Sequence, residues 1–276
     1  MKMFNKVVII GTGLIGGSVG IALRKKHLAK EIIGFSRKKA NASLAKKTGA
    51  IDTVGKSLDL VADADLIILA TPVDSIIELA SKISKNIKKD CVVIDVGSTK
   101  EMIVAKLSRL MPNFVGCHPL AGSEKKGIIN IQTNIFEGCV CIVTPTYKTN
   151  RKILNKVMLF WKGLGAKVVV LSAKKHDQIL ASTSHLPHAI AFSLIGSVPQ
   201  KFFNLSSGGL KDTTRIAASD AHLWSQIFFS NRRNLLTALA FFQAKVNALT
   251  LALKNNDKKL LTKILKISQN KRNKLK

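Results

Sequence analysis

The chain has 276 residues, of which 46% are hydrophobic and 22% are charged. This composition is typical of a globular protein rather than a disordered or fibrous one. Its 44 Lys and Arg against 16 Asp and Glu give a formal net charge of +28, a value found in proteins that bind nucleic acids or anionic membranes. The basic residues recur as short pairs, however, and only residues 254–276 form a basic block. We therefore predict no nucleic-acid or membrane partner.

The four cysteines, Cys91, Cys117, Cys139 and Cys141, are too few for a disulfide framework in a chain of this length. Cys139 and Cys141 lack the spacing of a zinc knuckle, so we expect free thiols in a reducing cytoplasm and no bound metal. No apolar run in the sequence approaches the roughly 18 residues needed to span a bilayer. The apolar run before Gly11 is also too short for a secretory signal. The sequence thus predicts a cytoplasmic protein.

Short apolar runs alternate with helical patterns over the first 172 residues. The predicted strands are 7–10, 32–35, 65–70, 91–95, 114–116, 140–143 and 167–171, and the predicted helices are 14–28, 39–48, 75–87, 100–110 and 151–164. This alternation predicts an α/β fold with a Rossmann-type, doubly wound, mostly parallel sheet. No strand pattern follows His176, so we predict a dinucleotide-binding domain at 1–172 and an all-α substrate and dimerisation domain at 173–276.

The segment GTGLIG directly follows the first predicted strand and opens a predicted helix. A G-x-G-x-x-G pattern in this position is typical of dinucleotide binding. Gly11 permits the tight turn, Gly13 lets the backbone approach the pyrophosphate, and Gly16 allows close packing of helix and strand. The first helical turn, with Leu14 and Ile15, presents its amide groups to the phosphates. The predicted cofactor is NAD or NADP.

The choice between NAD and NADP stays open. A domain selective for NAD usually carries an acid about 20 residues further on, which binds the ribose hydroxyls. That place is taken by Ser36, followed by Arg37. No carboxylate there repels a 2′-phosphate, and Arg37 is available either to pair with one or to stack on the adenine. Thr71, Pro72 and Val73 end the next strong strand and are predicted cofactor contacts at the same sheet edge.

Four further segments carry side chains suited to chemistry. DVGSTK from Asp95 and GCHPLAGSE from Gly116 end predicted strands, whereas SHLPHA from Ser184 and GLKDTTRIAASD from Gly209 lie in the helical region, with Trp224 shortly after. In their order and spacing these segments resemble the prephenate/arogenate dehydrogenase family of tyrosine biosynthesis, from the glycine turn to about Asn231. HPLAGSE, SHLPHA and GLKDTTRIAASD are far more specific than the glycine pattern, which many unrelated enzymes share.

The resemblance implies an oxidative decarboxylation. The hydroxyl of a cyclohexadienol is oxidised by hydride transfer to the nicotinamide, carbon dioxide leaves, and the ring becomes aromatic. His118 matches the family histidine that hydrogen-bonds the ring hydroxyl, and an imidazole suits this role because its ordinary pKa lies near the operating pH. Ser98 matches the serine that holds the same hydroxyl beside the nicotinamide. His118 and Ser98 are the predicted catalytic residues.

The resemblance also implies a substrate site in the helical region. Arg215 matches the arginine that binds a substrate carboxylate, with a structural ion pair to Asp212 as the alternative. The other predicted substrate-site residues match family positions that contact, support or gate the pocket, and they are His188, His185, Lys211, Glu124, Ser123 and Trp224. Trp224 is equally consistent with a core position. His185 and His188 lie three residues apart, as in a metal pair, but no carboxylate or cysteine completes such a site locally.

Prephenate carries a keto group on its side chain at the position where arogenate carries an amino group. The sequence places no carboxylate for the ammonium of arogenate, so prephenate is the predicted substrate and arogenate the alternative. Another two-domain dehydrogenase, such as a hydroxyacid dehydrogenase or pyrroline carboxylate reductase, and a basic nucleic-acid-binding protein are the rival hypotheses. The resemblance further implies a homodimer through the helical domain, and the apolar stretch at residues 235–253 fits such an interface.

Overall fold

The computed structural model of the protein describes residues 2–121 and 127–275. An eight-stranded sheet, in the order β3-β2-β1-β4-β5-β6-β7-β8, occupies the N-terminal part of the chain. The strands are β1 Phe4–Ile10, β2 Ala29–Phe35, β3 Thr53–Val54, β4 Leu66–Leu69, β5 Val92–Asp95, β6 Phe114–Pro119, β7 Val140–Thr144 and β8 Lys167–Val170. The helices are α1 Leu14–Lys25, α2 Lys39–Lys47, α3 Val73–Ile83, α4 Glu101–Leu110, α5 Arg151–Gly163, α6 Ala173–Leu180, α7 Leu186–Ser197, α8 Gly208–Thr214, α9 Ala221–Ser230, α10 Arg232–Lys254 and α11 Lys258–Asn273.

The sheet confirms the predicted doubly wound architecture. Strands β3, β2, β1, β4, β5 and β6 are all parallel, and their order is that of the dinucleotide-binding Rossmann fold. The chain order reverses between β1 and β4, which is where such folds bind ligands. Strand β7 runs antiparallel to β6, and β8 runs parallel to β7. The sheet is therefore mostly parallel, as the sequence indicated.

The two central strands show why continuous apolar runs predict this sheet. Along β1, Val7 and Ile9 belong to one apolar cluster, and Val8 and Ile10 belong to a second cluster on the other face. All four side chains are at most 1% exposed. Because helices cover both faces, every position of such a strand is buried, and the usual alternation with polar residues disappears.

Several element boundaries differ from the predicted ones. Helix α1 ends at Lys25 rather than 28, and His27 after it adopts a φ of 53°. Strand β2 consequently begins at Ala29, three residues earlier than predicted. Strand β3 has only two residues and is too short to give a periodic signal. Helix α3 begins at Val73, two residues earlier than predicted, and Pro72 is the residue that caps its N-terminus.

After β8, the described residues form helices and irregular segments, which confirms the helical C-terminal region. Intrachain contacts separate two compact units, residues 2–231 and residues 232–275. The first unit contains the sheet and the helices through α9. The second contains α10 and α11, which pack on each other. The predicted domain boundary between residues 172 and 173 stays a prediction.

Two helical stretches, Ala173–Ser197 and Arg232–Lys254, are long and apolar enough to cross a membrane by length and composition alone. This differs from the expectation that no apolar stretch reaches that length. Polar residues interrupt both stretches, so each apolar run is short in the sequence while the helical stretch as a whole keeps an apolar average. Only 22% and 17% of their most apolar windows are buried in the single chain.

Candidate active site

The glycine turn, residues 11–16, connects β1 to α1. Gly11 has a φ of +104°, and a Cβ atom there would lie 2.4 Å from the carbonyl oxygen of Ala70. A Cβ on Gly16 would lie 2.0 Å from the carbonyl oxygen of Gly11. Gly13 is different, because no heavy atom of the described residues, apart from Gly13 and its chain neighbours, lies within 4 Å of its Cβ position. Gly11 and Gly16 are thus required by the fold of the turn, whereas Gly13 leaves open space in front of the backbone.

Thr12 in the glycine turn and Thr71 beside it carry unsatisfied hydroxyls. The Oγ1 atoms of Thr12 and Thr71 are buried and have no hydrogen-bond partner within the described part of the chain. Buried polar atoms without partners are uncommon, and one explanation is a bound ligand that supplies them. Leu14 and Ile15 form the first turn of α1, whose amide groups favour an anion. The open backbone at Gly13 and the two hydroxyls therefore fit a phosphate-containing dinucleotide.

The ends of β2 and β4 flank the turn. Phe35 pairs with Ile10, so Ser36, which is half-buried, follows β2 beside the glycine turn. Arg37 is exposed. On the other side, Pro72 is exposed and Val73 is buried at the start of α3.

His118 lies on β6 and is partly buried. Its Nδ1 atom is 2.8 Å from Nε2 of His176, which belongs to α6. Burial is the main cause that lowers the pKa of His118 well below its ordinary value of 6.5, and the neighbouring His176, Lys100 and His185 lower it further. The imidazole of His118 is therefore neutral at neutral pH and can accept a proton.

The segment between β5 and α4 carries a buried ion pair and one member of a hydroxyl pair. Lys100 Nζ pairs with Asp95, and both side chains are inaccessible to solvent. Ser98 is half-buried between them in sequence. Ser230 of α9 donates a hydrogen bond to the Thr99 hydroxyl, with an oxygen–oxygen distance of 3.0 Å. This contact joins the loop that carries Ser98 to the helical region.

His185, His188 and Trp224 form a compact group on the helical side. The His188 ring stacks on Trp224 with centroids 3.5 Å apart and an angle of 20° between the planes, and the His185 ring approaches Trp224 edge-on at 6.1 Å. The Nδ1 of His188 donates to the Ser184 carbonyl at 2.9 Å, which leaves its Nε2 as the acceptor. Burial lowers the pKa of His188 and lowers that of His185 to about 4.

Arg215 is exposed and begins the turn that follows α8. Its charge lowers the pKa of His188, so the guanidinium lies on the same side as the His188–Trp224 stack. Lys211 lies one helical turn earlier and is exposed. The predicted site residues Ser123 and Glu124 lie outside the described residues.

The sequence prediction did not include His176, Asp177 or Asn231. His176 Nδ1 lies 2.7 Å from Asp177 Oδ1. Asn231 Nδ2 donates to the Asp177 carbonyl at 2.8 Å and lies 3.1 Å from His185 Nδ1. No signal in the sequence indicated the adjacent pair His176-Asp177, since two neighbouring ionisable residues on a helix are seldom both buried.

The sheet order, the glycine turn and the neutral histidine at the sheet edge define a Rossmann-type oxidoreductase. The family model for the nucleotide-binding domain of prephenate dehydrogenase matches residues 19–170, and the model for the dimerization domain of the same family matches residues 172–267. The chain belongs to the prephenate dehydrogenase family. It is therefore an enzyme that uses NAD or NADP.

Individual relatives agree with this assignment. A prephenate dehydrogenase of Lactococcus lactis is 33% identical over 92% of this chain and 72% of its own length. The crystal structure of prephenate dehydrogenase from Aquifex aeolicus in complex with hydroxyphenyl propionate and NAD+ is 35% identical, with a TM-score of 0.93 over 99% of this chain and 98% of that one. A Synechocystis arogenate dehydrogenase is 29% identical, with a TM-score of 0.84 over 98% of this chain and 99% of that one.

The described residues contain no group of three His, Cys, Asp or Glu side chains that could hold a metal ion. The four cysteines are free thiols, and burial raises the pKa of Cys91 to about 12. The expectation of a site without a metal stays a prediction.

Proposed function

We propose that this chain oxidatively decarboxylates prephenate to 4-hydroxyphenylpyruvate, with His118 as the proton acceptor. The observation that supports this most is the neutral imidazole of His118 at the carboxyl end of β6, at the sheet edge that also carries the glycine turn. A hydroxyl can be oxidised to a carbonyl only if it loses a proton as well as a hydride. A neutral imidazole at the sheet edge supplies the acceptor for that proton.

The other site residues are assigned to binding and orientation. Ser98 positions the ring hydroxyl, and Arg215 binds a substrate carboxylate through its planar, permanently charged guanidinium. His188, stacked on Trp224, forms one wall of the substrate site, with His185 behind it. Lys211, Ser123 and Glu124 are assigned to the rim of the same site. Loss of carbon dioxide and aromatisation drive the reaction, so the protein chiefly orients the substrate and removes the proton.

The cofactor contacts are assigned to the glycine turn and its flanks. Gly11, Gly13 and Gly16 with the first turn of α1 hold the pyrophosphate, and Thr12 and Thr71 supply hydroxyls to the same ligand. The nicotinamide supplies the hydride acceptor when it is bound. Ser36 and Arg37 replace the usual acid after β2, so we expect the protein to accept NADP as well as NAD.

We also infer that the protein is a homodimer that works in the cytoplasm. Large apolar side chains of α9 and α10 are exposed in the single chain, with exposed fractions of 74% for Phe229, 64% for Leu236 and 71% for Phe241. Exposed apolar surface of this kind usually marks an interface, and a second copy of the chain is the partner that the matched dimerization domain implies. Light scattering at micromolar concentration should give twice the chain mass of 30.0 kDa; a monomer would contradict this.

Arogenate is the second candidate substrate, because a 29% identical arogenate dehydrogenase shares the fold over the whole chain. The two activities differ only in the group on the substrate side chain. Production of reduced nicotinamide, followed by absorbance with prephenate or arogenate and with NAD or NADP, separates all four combinations. Turnover of prephenate supports the proposal, and turnover of arogenate alone would transfer it to arogenate. Inactivity in every combination, with a folded protein that binds the cofactor, would refute it.

A further inference from the structure

A hydrogen-bonded series of three ionisable side chains extends from His118, which is partly buried, into the helical region. His118 Nδ1 lies 2.8 Å from His176 Nε2, and His176 Nδ1 lies 2.7 Å from Asp177 Oδ1. The side chains of His176 and Asp177 are 0% and 1% exposed. Neither can contact the solvent, and the proposed function so far gives neither of them a role.

Asp177 is held as an acceptor by the N-terminus of α4. Its Oδ1 accepts a hydrogen bond from the Lys100 amide at 2.8 Å, and its Oδ2 accepts one from the Glu101 amide at 2.9 Å. These are amide groups at the positive end of a helix, where a carboxylate is favoured. An ionised carboxylate can only accept hydrogen bonds. The hydrogen between Asp177 and His176 must therefore belong to His176 Nδ1.

The hydrogen on His176 Nδ1 fixes which ring nitrogen carries the hydrogen in both His176 and His118. Burial lowers the pKa values of His118 and His176, so both rings are neutral and each carries one hydrogen. With its hydrogen on Nδ1, His176 has a lone pair on Nε2 and accepts from His118 Nδ1. His118 then has its lone pair on Nε2. Nδ1 of His118 is bonded to His176, whereas Nε2 has no hydrogen-bond partner among residues 2–121 and 127–275 and is the nitrogen that would meet a substrate.

We infer that His176 and Asp177 are positioning residues that make Nε2 of His118 the proton acceptor of the reaction. The inference rests on the proposed function, in which His118 takes the proton of the ring hydroxyl. In that step the O–H bond breaks and an N–H bond forms on Nε2, which leaves His118 positively charged. His176 accepts a stronger hydrogen bond from this cation, and the carboxylate of Asp177 stabilises it through His176, in the manner of the aspartate of a serine protease triad.

Other charged groups face the same hydrogen-bonded series. Lys100 opposes protonation of both His118 and His176, and Asp95, which pairs with Lys100, favours protonation of His176. His185 also opposes protonation of His118. Asp95 is paired with Lys100. Among the described residues, Asp177 is the one carboxylate that is hydrogen-bonded to the His118–His176 pair.

Asp177→Asn tests the inference. The new side-chain amide can present its NH2 group to His176 Nδ1 only by giving up the hydrogen bond from the Lys100 amide, which shares Oδ1 with His176. In that orientation both histidine tautomers reverse and a hydrogen stays on Nε2 of His118. We expect kcat to fall by roughly 10²–10⁴-fold, with the Kd of the cofactor unchanged. Asp63→Asn is the matched control, because Asp63 is 73% exposed and pairs with Lys6 at the surface; its kcat should equal that of the parent protein.

The readout that a purely structural role would not change is the tautomer itself. Two-bond ¹H–¹⁵N correlation spectra of the ¹⁵N-labelled protein, with His118→Gln to assign the ring, should show hydrogen on Nδ1 in the parent and on Nε2 in Asp177→Asn. A parent protein with hydrogen on Nε2 would overturn the inference, even if Asp177→Asn fails to fold. A loss of kcat without a change of tautomer would overturn it as well. The spectrum needs no turnover, so failure of the proposed reaction is distinguished from failure of this inference.

Discussion

In the glycine turn the important atoms belong to the backbone of one short segment. In the histidine cluster (His118, His176, Asp177, His185, His188 and Trp224) they belong to side chains from β6, α6, the turn between α6 and α7, α7 and α9. Gly11 and Gly16 are required because a Cβ at either position would overlap backbone atoms. In the proposed reaction His118 is required for its chemistry, and its neighbours determine which nitrogen reacts. A backbone site is therefore visible in the local sequence, but a side-chain site becomes visible only when distant elements meet.

The largest expected effect is on the chemical step of the histidine cluster. His118→Ala should lower kcat by roughly 10²–10⁴-fold, because the proton of the ring hydroxyl loses its acceptor. The Kd of NAD, measured by fluorescence titration, should stay unchanged, since the glycine turn is a separate site. A rise in the Kd of NAD as large as the fall in kcat would show that the histidine cluster and the glycine turn are not independent.

The second effect concerns stability and again belongs to the histidine cluster. His185 is 1% exposed, and its folded-state pKa of about 4 lies below the ordinary value of 6.5. As the pH falls below 6.5, the unfolded state takes up this proton first, so the free energy of unfolding should fall between pH 6.5 and 4, by up to about 3 kcal/mol from this residue.

Urea unfolding at several pH values measures this dependence. His185→Gln should show a weaker dependence on pH than the parent, because the buried titrating group is gone. The exposed His222 is the control, and His222→Gln should keep the dependence of the parent. Equal dependence in His185→Gln and the parent would refute the assignment to His185.

Arg215 tests substrate binding on the helical side. Arg215→Ala should raise the KM for prephenate by roughly 10–100-fold, the loss expected for hydrogen bonds between charged groups. Arg109→Ala, an exposed arginine on α4, should leave KM unchanged. An unaltered KM in Arg215→Ala would mean that another residue binds the carboxylate.

The smallest effect tests the backbone site. Apart from its chain neighbours, no described residue has an atom within 4 Å of a Cβ on Gly13, so Gly13→Ala should fold normally. Its methyl group would nevertheless occupy the space through which the pyrophosphate approaches. We expect the Kd of NAD to rise about tenfold, which corresponds to about 1.4 kcal/mol. Gly196→Ala in α7 also has open space around the new methyl group and should not alter this Kd. An unchanged Kd in Gly13→Ala would place the phosphates elsewhere.

The sequence predicted most of the fold because its signals are local. The apolar runs of β1, β4 and β5 and the helices that follow them were predicted within a few residues. Strand β3 was missed because two residues give no periodicity. Helix α1 was predicted too long because nothing in the sequence indicated the left-handed backbone of His27, where φ is 53°. His118 and Arg215 were predicted as site residues from motifs, and His176 and Asp177 were not, because a lysine-rich segment gave no sign that both would be buried.

The amino-acid sequence by itself determined the sheet, the glycine turn and the family. Hydrophobic periodicity and glycine spacing act over a few residues, and the family motifs are contiguous. Only the tertiary structure decided which groups surround His118. Strand β6 carries His118, α6 carries His176 and Asp177, and the N-terminus of α4 anchors Asp177, although 58 residues separate the two histidines. One group fixes the hydrogen position of the next only when the two are hydrogen-bonded, with donor and acceptor about 3 Å apart. No local pattern in the sequence encodes that proximity.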